Sequence, residues 1–355
     1  MTKRIWSALG WTLASAALLL ISACSLTRGE DPTPEPSFKP GEYGGDPLPG
    51  TEDLFNLRLS PDGRRVALIR RQTPDEPFDP RKQLWIVDRD GTNPELIAVN
   101  ANFVDWSPDG KTLAVAVWRG IDAYVYTIDL ETREAIQWSG REDQFFSKPT
   151  VGTPIWYRDG RRLLVSVFAK DYQQPFVRGI YTIDTETGQI TGPHLELMQA
   201  AFLGDHDRFV VGVKYTYDRH PLDGNAARYD VGTGAWQWIT RFPSDSLDYV
   251  RSAIASPAAD LVAQSRFVEN AWQLFLMRSD GTEVRQITRL GGDIPRWSYD
   301  GQQILYRRDV HKGEGARYVP FVYDVATGQS APLWPALPDS LPPFPPLATQ
   351  KQALP

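Results

Sequence analysis

Residues 104–117 read VDWSPDGKTLAVAV, and the reading of this stretch decides the fold. Apolar residues flank Ser107-Pro108-Asp109-Gly110 on both sides, the pattern of two strands joined by a tight turn. Gly accepts the positive φ that such a turn needs, and Pro sets φ at an early turn position. The unit returns as LRLSPDGRRVALIR at 57–70, PIWYRDGRRLLVSV at 154–167 and PRWSYDGQQILYRR at 295–308. Two worn copies, AAFLGDHDRFVVGV at 200–213 and SAIASPAADLVAQS at 252–265, complete a series with turns near 63, 110, 160, 207, 260 and 301.

A second series alternates strictly with the first. It is an aromatic-apolar strand, an acidic or polar residue, then a turn bearing Gly or Thr. Its copies are LWIVDRDGTN (84–93), VYTIDLETRE (125–134), IYTIDTETGQ (180–189), ARYDVGTGAW (227–236), LFLMRSDGTE (274–283) and FVYDVATGQS (321–330). Each repeat thus predicts two hairpins in series, hence four antiparallel strands. A four-stranded sheet repeating about every 40–50 residues is the signature of a propeller blade. The expected fold class is all-β, a six-bladed β-propeller over 51–335 whose closed ring leaves only short, protected edges.

Composition agrees with that fold. The 355 residues are 41% apolar, with 12 Trp, 14 Tyr and 15 Phe, and contain 28 Gly and 29 Pro. Aromatic enrichment favours strands, and Gly and Pro supply their turns. The formal net charge is −6, and no basic run is present. Nucleic acid is therefore excluded as a partner, because phosphate neutralisation requires clustered Lys and Arg.

The repeated φ-x-φ-SPDG unit followed by a YxxDxxTG-like strand and turn resembles the WD40-like repeats of TolB-type propellers over about Leu54 to Leu333. The resemblance implies the fold and says little about function. The separate α/β domain that precedes the propeller in that family is not expected in residues 25–50, so a Tol–Pal role is not carried over.

Outside the repeats lies MTKRIWSALGWTLASAALLLISAC, residues 1–24. Lys3 and Arg4 precede an apolar run from Leu13 to Ile21, the layout of an export signal. The segment Ile21-Ser22-Ala23-Cys24 resembles the lipobox of bacterial lipoproteins, and Cys24 is the one cysteine of the chain. That resemblance implies acylation of Cys24 and cleavage before it, so residues 1–23 are expected to be a signal peptide. Their removal takes Lys3 and Arg4 but no acid, moving the net charge from −6 to −8. An uncleaved transmembrane anchor over about Ile5 to Ala23 is the alternative, being long enough to span a bilayer. Either arrangement places the remainder outside the cytoplasm. Ser25, not Asp, follows Cys24, which the lipoprotein resemblance associates with the outer membrane, where one exists, and otherwise with the outer face of the cell membrane. Residues 24–50 are Pro- and Gly-rich and read as a disordered tether, and 336–355 as a Pro-rich tail.

In a propeller the SPDG-type and DxxTG-type turns share one face, leaving the longer connections to the other. Those connections include 71–83, 139–152, 170–179, 215–226, 241–250 and 308–318. Loops on a rigid scaffold carry binding residues, so this long-loop face is the expected binding face. Its candidate residues are Arg71, Trp118, Tyr172, Phe176, Tyr217, Trp272, Arg308 and His311, since aromatic and Arg side chains anchor interfaces. Any single aromatic there is as readily a cover over the core between blades.

No catalytic, cofactor-binding or metal-binding residue is indicated. His194, His206, His220 and His311 have no HxxxH or HExxH spacing, and GxSxG, GxGxxG and P-loop motifs are absent. Asp88, Asp129, Asp184, Asp230 and Asp324 recur once per repeat and read as turn-forming carboxylates. The expected function is a monomeric, lipid-anchored propeller of the cell envelope that binds a protein partner without a cofactor. The alternative is a solute- or glycan-binding protein or an enzyme using the central channel, although inner strands such as FVDW, PIWY and IPRW read as mostly aromatic and apolar.

Overall fold

The computed structural model describes residues 54–70, 82–119, 122–139, 150–168, 179–204, 207–215, 224–242, 249–268, 271–309 and 318–334. All regular elements among them are strands, 24 in number, in six four-stranded antiparallel sheets. Within every sheet the strands neighbour one another in chain order. Each blade is therefore one contiguous stretch: 54–99, 101–137, 150–191, 198–238, 250–286 and 293–332, numbered blades 1 to 6.

The hairpins arise as their sequences require. In blades 1, 2 and 6 the Ser of the turn (Ser60, Ser107, Ser298) donates its hydroxyl to the Asp two residues on, at 2.6 Å in each case. The same hydroxyl accepts the amide of the residue that opens the second strand, at 2.9 Å. The turn glycines Gly63, Gly110, Gly160 and Gly301 all have φ between 67° and 70°, where a side chain would be strained. The fourth strands of blades 2 to 6 are only two or three residues long, which limits the exposed edge.

The core consists of six apolar clusters, one at each blade–blade interface. No blade can bury both faces alone, so the clusters make the ring cooperative. Among the described residues, closure involves no exchange of strands. Leu54, Leu57, Leu59, Val66 and Leu68 of blade 1 pack on Leu305 of blade 6 and on Trp334. The Trp334 indole donates to the Arg89 carbonyl at 3.0 Å, and Arg89 Nη2 donates to Gln303 Oε1 at 2.7 Å. The six-bladed fold of four-stranded sheets thus matches that expected from sequence, and ring closure is a feature the repeats did not reveal.

The first strand of each sheet lines the axis: Leu54–Leu59, Ala101–Trp106, Thr150–Trp156, Met198–Leu203, Val250–Ala255 and Asp293–Trp297. All six carry a register irregularity against their partner strand. A β-bulge adds twist and re-aims side chains, here at the same point of every inner strand.

Candidate functional site

The strand directions separate two ends of the ring. The SPDG-type turns and the turns before the fourth strands lie at one end. The second and third strands connect at the other end, as do successive blades, and the longer connections leave there. Of the candidate residues on that end, Arg71, Tyr172, Phe176, Tyr217 and His311 lie outside the described residues, as does Cys24. Trp118 is in the strand Thr112–Arg119, opposite Ala123.

Trp272 belongs to a built cluster. It pairs across the hairpin with Phe267, and Tyr249 joins them from the chain entering blade 5. The ring centroids are 5.9 Å apart for Tyr249–Phe267, 5.2 Å for Tyr249–Trp272 and 5.4 Å for Phe267–Trp272. The Arg251 guanidinium lies 5.2 Å from the Trp272 ring, and its Nη1 is 2.9 Å from Asp293 Oδ2. Arg307 reaches the same oxygen at 2.9 Å and stands 4.0 Å from the Tyr318 ring. Asp293 is buried, and its other oxygen accepts from Ser265 Oγ at 2.9 Å. One carboxylate thereby holds two arginines, each against an aromatic ring, at the rim of blades 5 and 6.

Arg308, expected on this face, is instead a buried brace. It is 8% exposed, donates Nε to the Leu290 carbonyl at 3.0 Å and lies 5.2 Å from the Phe321 ring. His194 packs beside Tyr229, 3.4 Å from its hydroxyl, and burial lowers its pKa.

The axis holds a second constellation. A cavity of about 100 Å³ is lined by residues from all six blades. The inner-strand residues that pair with the third residue of the second strand are, in blade order, Arg58, Asp105, Ile155, Ala201, Ile254 and Arg296. Register places all six at one level. Blades 6, 1 and 2 thus give a charged arc, and blades 3, 4 and 5 an apolar one. Arg58 Nε stands 3.6 Å from Asp105 Oδ1 and donates to the Val104 carbonyl at 3.3 Å. Asp105 Oδ2 accepts the Trp156 amide at 3.0 Å. Burial raises the Asp105 pKa while Arg58 opposes the rise. Arg296 is 2% exposed, and burial holds its pKa well below the usual guanidinium value. At the SPDG end Arg158 lies over Tyr299 at 5.2 Å and donates to the Gly204 and Pro257 carbonyls.

The expectation of a mostly aromatic, apolar inner wall is corrected by this arc. The tryptophans of FVDW and IPRW turn into the interblade core and donate to the carbonyls of Arg58 and Ile254. The charged residue before each of them faces the axis. Setting the six repeats in register exposes a column in which Arg, Asp and Arg stand beside Ile, Ala and Ile; the signal was present in the sequence. The recurring aspartates do form turns. Asp129, Asp184, Asp230 and Asp324 each accept a Thr backbone amide three residues on, at 2.7–3.1 Å. Asp88 instead accepts from the Asn93 side chain. Among the described residues no group of three or more His, Cys, Asp or Glu is placed to hold a metal ion.

No protein-family model matches the chain, and no curated protein matches its sequence. Solved structures share the fold. A putative TolB from Agrobacterium tumefaciens aligns with a TM-score of 0.55 at 18% identity, over 76% of this chain and 91% of that one. TolB from Acinetobacter baumannii aligns at 0.51 and 19% identity over 65% of this chain; the match spans about half, 53%, of that protein. An oligogalacturonate lyase from Vibrio parahaemolyticus aligns at 0.56 and 12% identity, over 80% and 78% of the two chains. At such identities the likeness establishes a TolB-like six-bladed propeller and no activity, since the fold hosts a lyase as well.

Proposed function

We propose that this chain is a membrane-tethered binding propeller of the cell envelope that docks a protein partner through the end bearing the long connections. The observation that carries the reading is the Tyr249–Phe267–Trp272 trio backed by Arg251 at that end. Clustered aromatics with an arginine are the side chains that supply most of the energy in protein interfaces. The Arg251–Asp293–Arg307 bridge fixes the trio before a partner arrives, which reduces the ordering cost of binding. In this reading Cys24 carries the lipid, residues 24–50 hold the ring off the membrane, and the protein works as a monomer. It sits at the outer membrane where one exists, or else at the outer face of the cell membrane.

The test is in-cell crosslinking and pull-down of the tagged full chain, beside Trp272→Ala and a variant with 71–83 and 215–226 shortened. One or a few protein partners are expected, with recovery reduced about tenfold or more by Trp272→Ala, while its urea midpoint shows that the ring is intact. Equal recovery by all three proteins overturns the reading. Cys24→Ala is expected to shift the protein from the membrane to the soluble fraction; unchanged attachment with normal processing removes the lipid anchor from the proposal.

A further inference from the structure

In blade 4 the fourth strand, Trp236–Trp238, forms the outer edge of its sheet. The Ile239 amide donates to the Ala226 carbonyl, and the Asp230 amide to the Ala235 carbonyl, both at 2.8 Å. Residues 235 and 239 thus face the third strand, Gly224–Asp230. Strand alternation then turns the N–H and C=O groups of Trp236 and Trp238 away from the sheet. The edge is open to solvent, for residues 232–237 are all exposed.

Sheets guard such edges with charges or prolines, and five blades of this ring do so. Within two residues of the outer strand stand Glu95 in blade 1, Glu134 in blade 2, Pro193 in blade 3, Arg285 in blade 5 and Pro332 in blade 6. Residues 234–240 of blade 4 read GAWQWIT and hold neither. The side chains also differ. Trp236 pairs with Tyr229, where the matching residues of blades 2, 3 and 6 are the smaller Ala135, Ile190 and Ser330. Trp236 is 42% exposed, and its ring meets Trp238 edge-on with centroids 5.1 Å apart. Trp238 in turn packs on the core between blades 3 and 4, which holds the pair in place. Lys214 Nζ lies 5.6 Å from the centre of the Trp236 ring, and among the described residues it makes no ion pair.

We infer that blade 4 takes up an extended segment of a partner protein as a fifth strand on its Trp236–Trp238 edge. The outward N–H and C=O groups ask for another strand's backbone. Trp236 asks for an apolar side chain on the adjoining strand, where cross-strand pairs meet. Lys214 asks for an acidic side chain on the same face, hence two residues away, since alternate residues share a face. The partner segment therefore reads apolar, any residue, acid, without proline at the bonded positions. This edge lies on the outside of the ring, apart from the end where Tyr249, Phe267 and Trp272 cluster, so the inference stands without the docking proposed there.

The test is a library of random short peptides displayed on phage, selected on the immobilised full chain and counter-selected on Trp236→Ala. Enriched peptides are expected to share the apolar–any–acid spacing. Binding of the best is expected to fall about tenfold or more in Trp236→Ala and about two- to fivefold in Lys214→Gln. Methylating alternate peptide amides is expected to weaken it about tenfold or more. The amide hydrogens of Trp236 and Trp238 are expected to become protected from exchange, which side-chain contact alone would not cause. Equal urea midpoints of the three proteins show that the ring is intact. No enriched peptide, enrichment of proline-rich peptides, or binding that survives amide methylation overturns the inference. A dimer of the full chain that dissociates in Trp236→Ala also overturns it, by giving the edge to a second copy.

Discussion

Gly63 and Gly301 occupy the same turn position with the same φ of 69°, yet their surroundings differ. A Cβ at Gly63 would meet nothing closer than Arg89 Nη1 at 3.7 Å, the end of a flexible side chain. At Gly301 it would lie 2.8 Å from Ser256 Oγ and 2.9 Å from Ala258 Cβ, in the turn of the neighbouring blade. Gly63→Ala is expected to cost about 1–2 kcal/mol for the left-handed backbone alone. Gly301→Ala adds overpacking of about 1–3 kcal/mol. Urea unfolding of the two variants checks the difference, and equal losses would show that the neighbouring turn yields freely. The glycines are legible from the SPDG motif; which of them also touches the next blade is not, because that contact joins residues over 40 positions apart.

The hairpin turns give the fold a common acid sensitivity. Backbone amides of Thr132 and Thr327 hold the carboxyls of Asp129 and Asp324 below the usual range, and the Arg161 side chain does the same for Asp184. Asp62 is held low by the Ser60 hydroxyl. Unfolded, these groups titrate near about 3.9. A folded pKa below that value means that the native state binds fewer protons, so the contribution is complete above about pH 4 and is lost as pH falls through the folded values. Asp105 has the opposite sign: burial raises its pKa, and its contribution falls as pH rises through the raised value. The turn carboxylates outnumber it. The melting temperature is therefore expected to drop below about pH 4, and Asp129→Asn with Asp324→Asn to flatten that drop. A profile unchanged by the double substitution would remove these turns as the cause. This element is fully legible in sequence, since an Asx turn needs only local residues.

Among the described residues the ring is held shut without a shared strand. Blade 1 meets blade 6 through apolar contacts that include Trp334, 2% exposed, which follows the last strand and donates to Arg89 of blade 1. Removing this indole leaves a cavity at the one interface where the chain does not run on from blade to blade. Trp334→Ala is expected to cost about 3–5 kcal/mol in chemical unfolding. Trp236→Ala, at a position 42% exposed on an outer strand, should change stability by no more than about 0.5 kcal/mol. A small loss at Trp334 would place ring closure elsewhere. In sequence Trp334 stands among prolines and shares no repeat pattern, so nothing local distinguishes it from the tail.

The sequence by itself determined the number of blades, the hairpin turns and the two-ended arrangement of short turns and long connections. These follow from period-two patterning and from Gly, Pro and Asp at turn positions, which act over a few residues. Only the tertiary structure decided which alternate residues of the inner strands face the axis, because a bulge in every inner strand re-aims them and strand patterning cannot locate a bulge. It alone gathered Arg58, Asp105 and Arg296 into one arc, buried Arg308, and set Trp272 among Tyr249, Phe267 and Arg251. Such groupings join residues many positions apart, and packing between blades, not local propensity, brings them together.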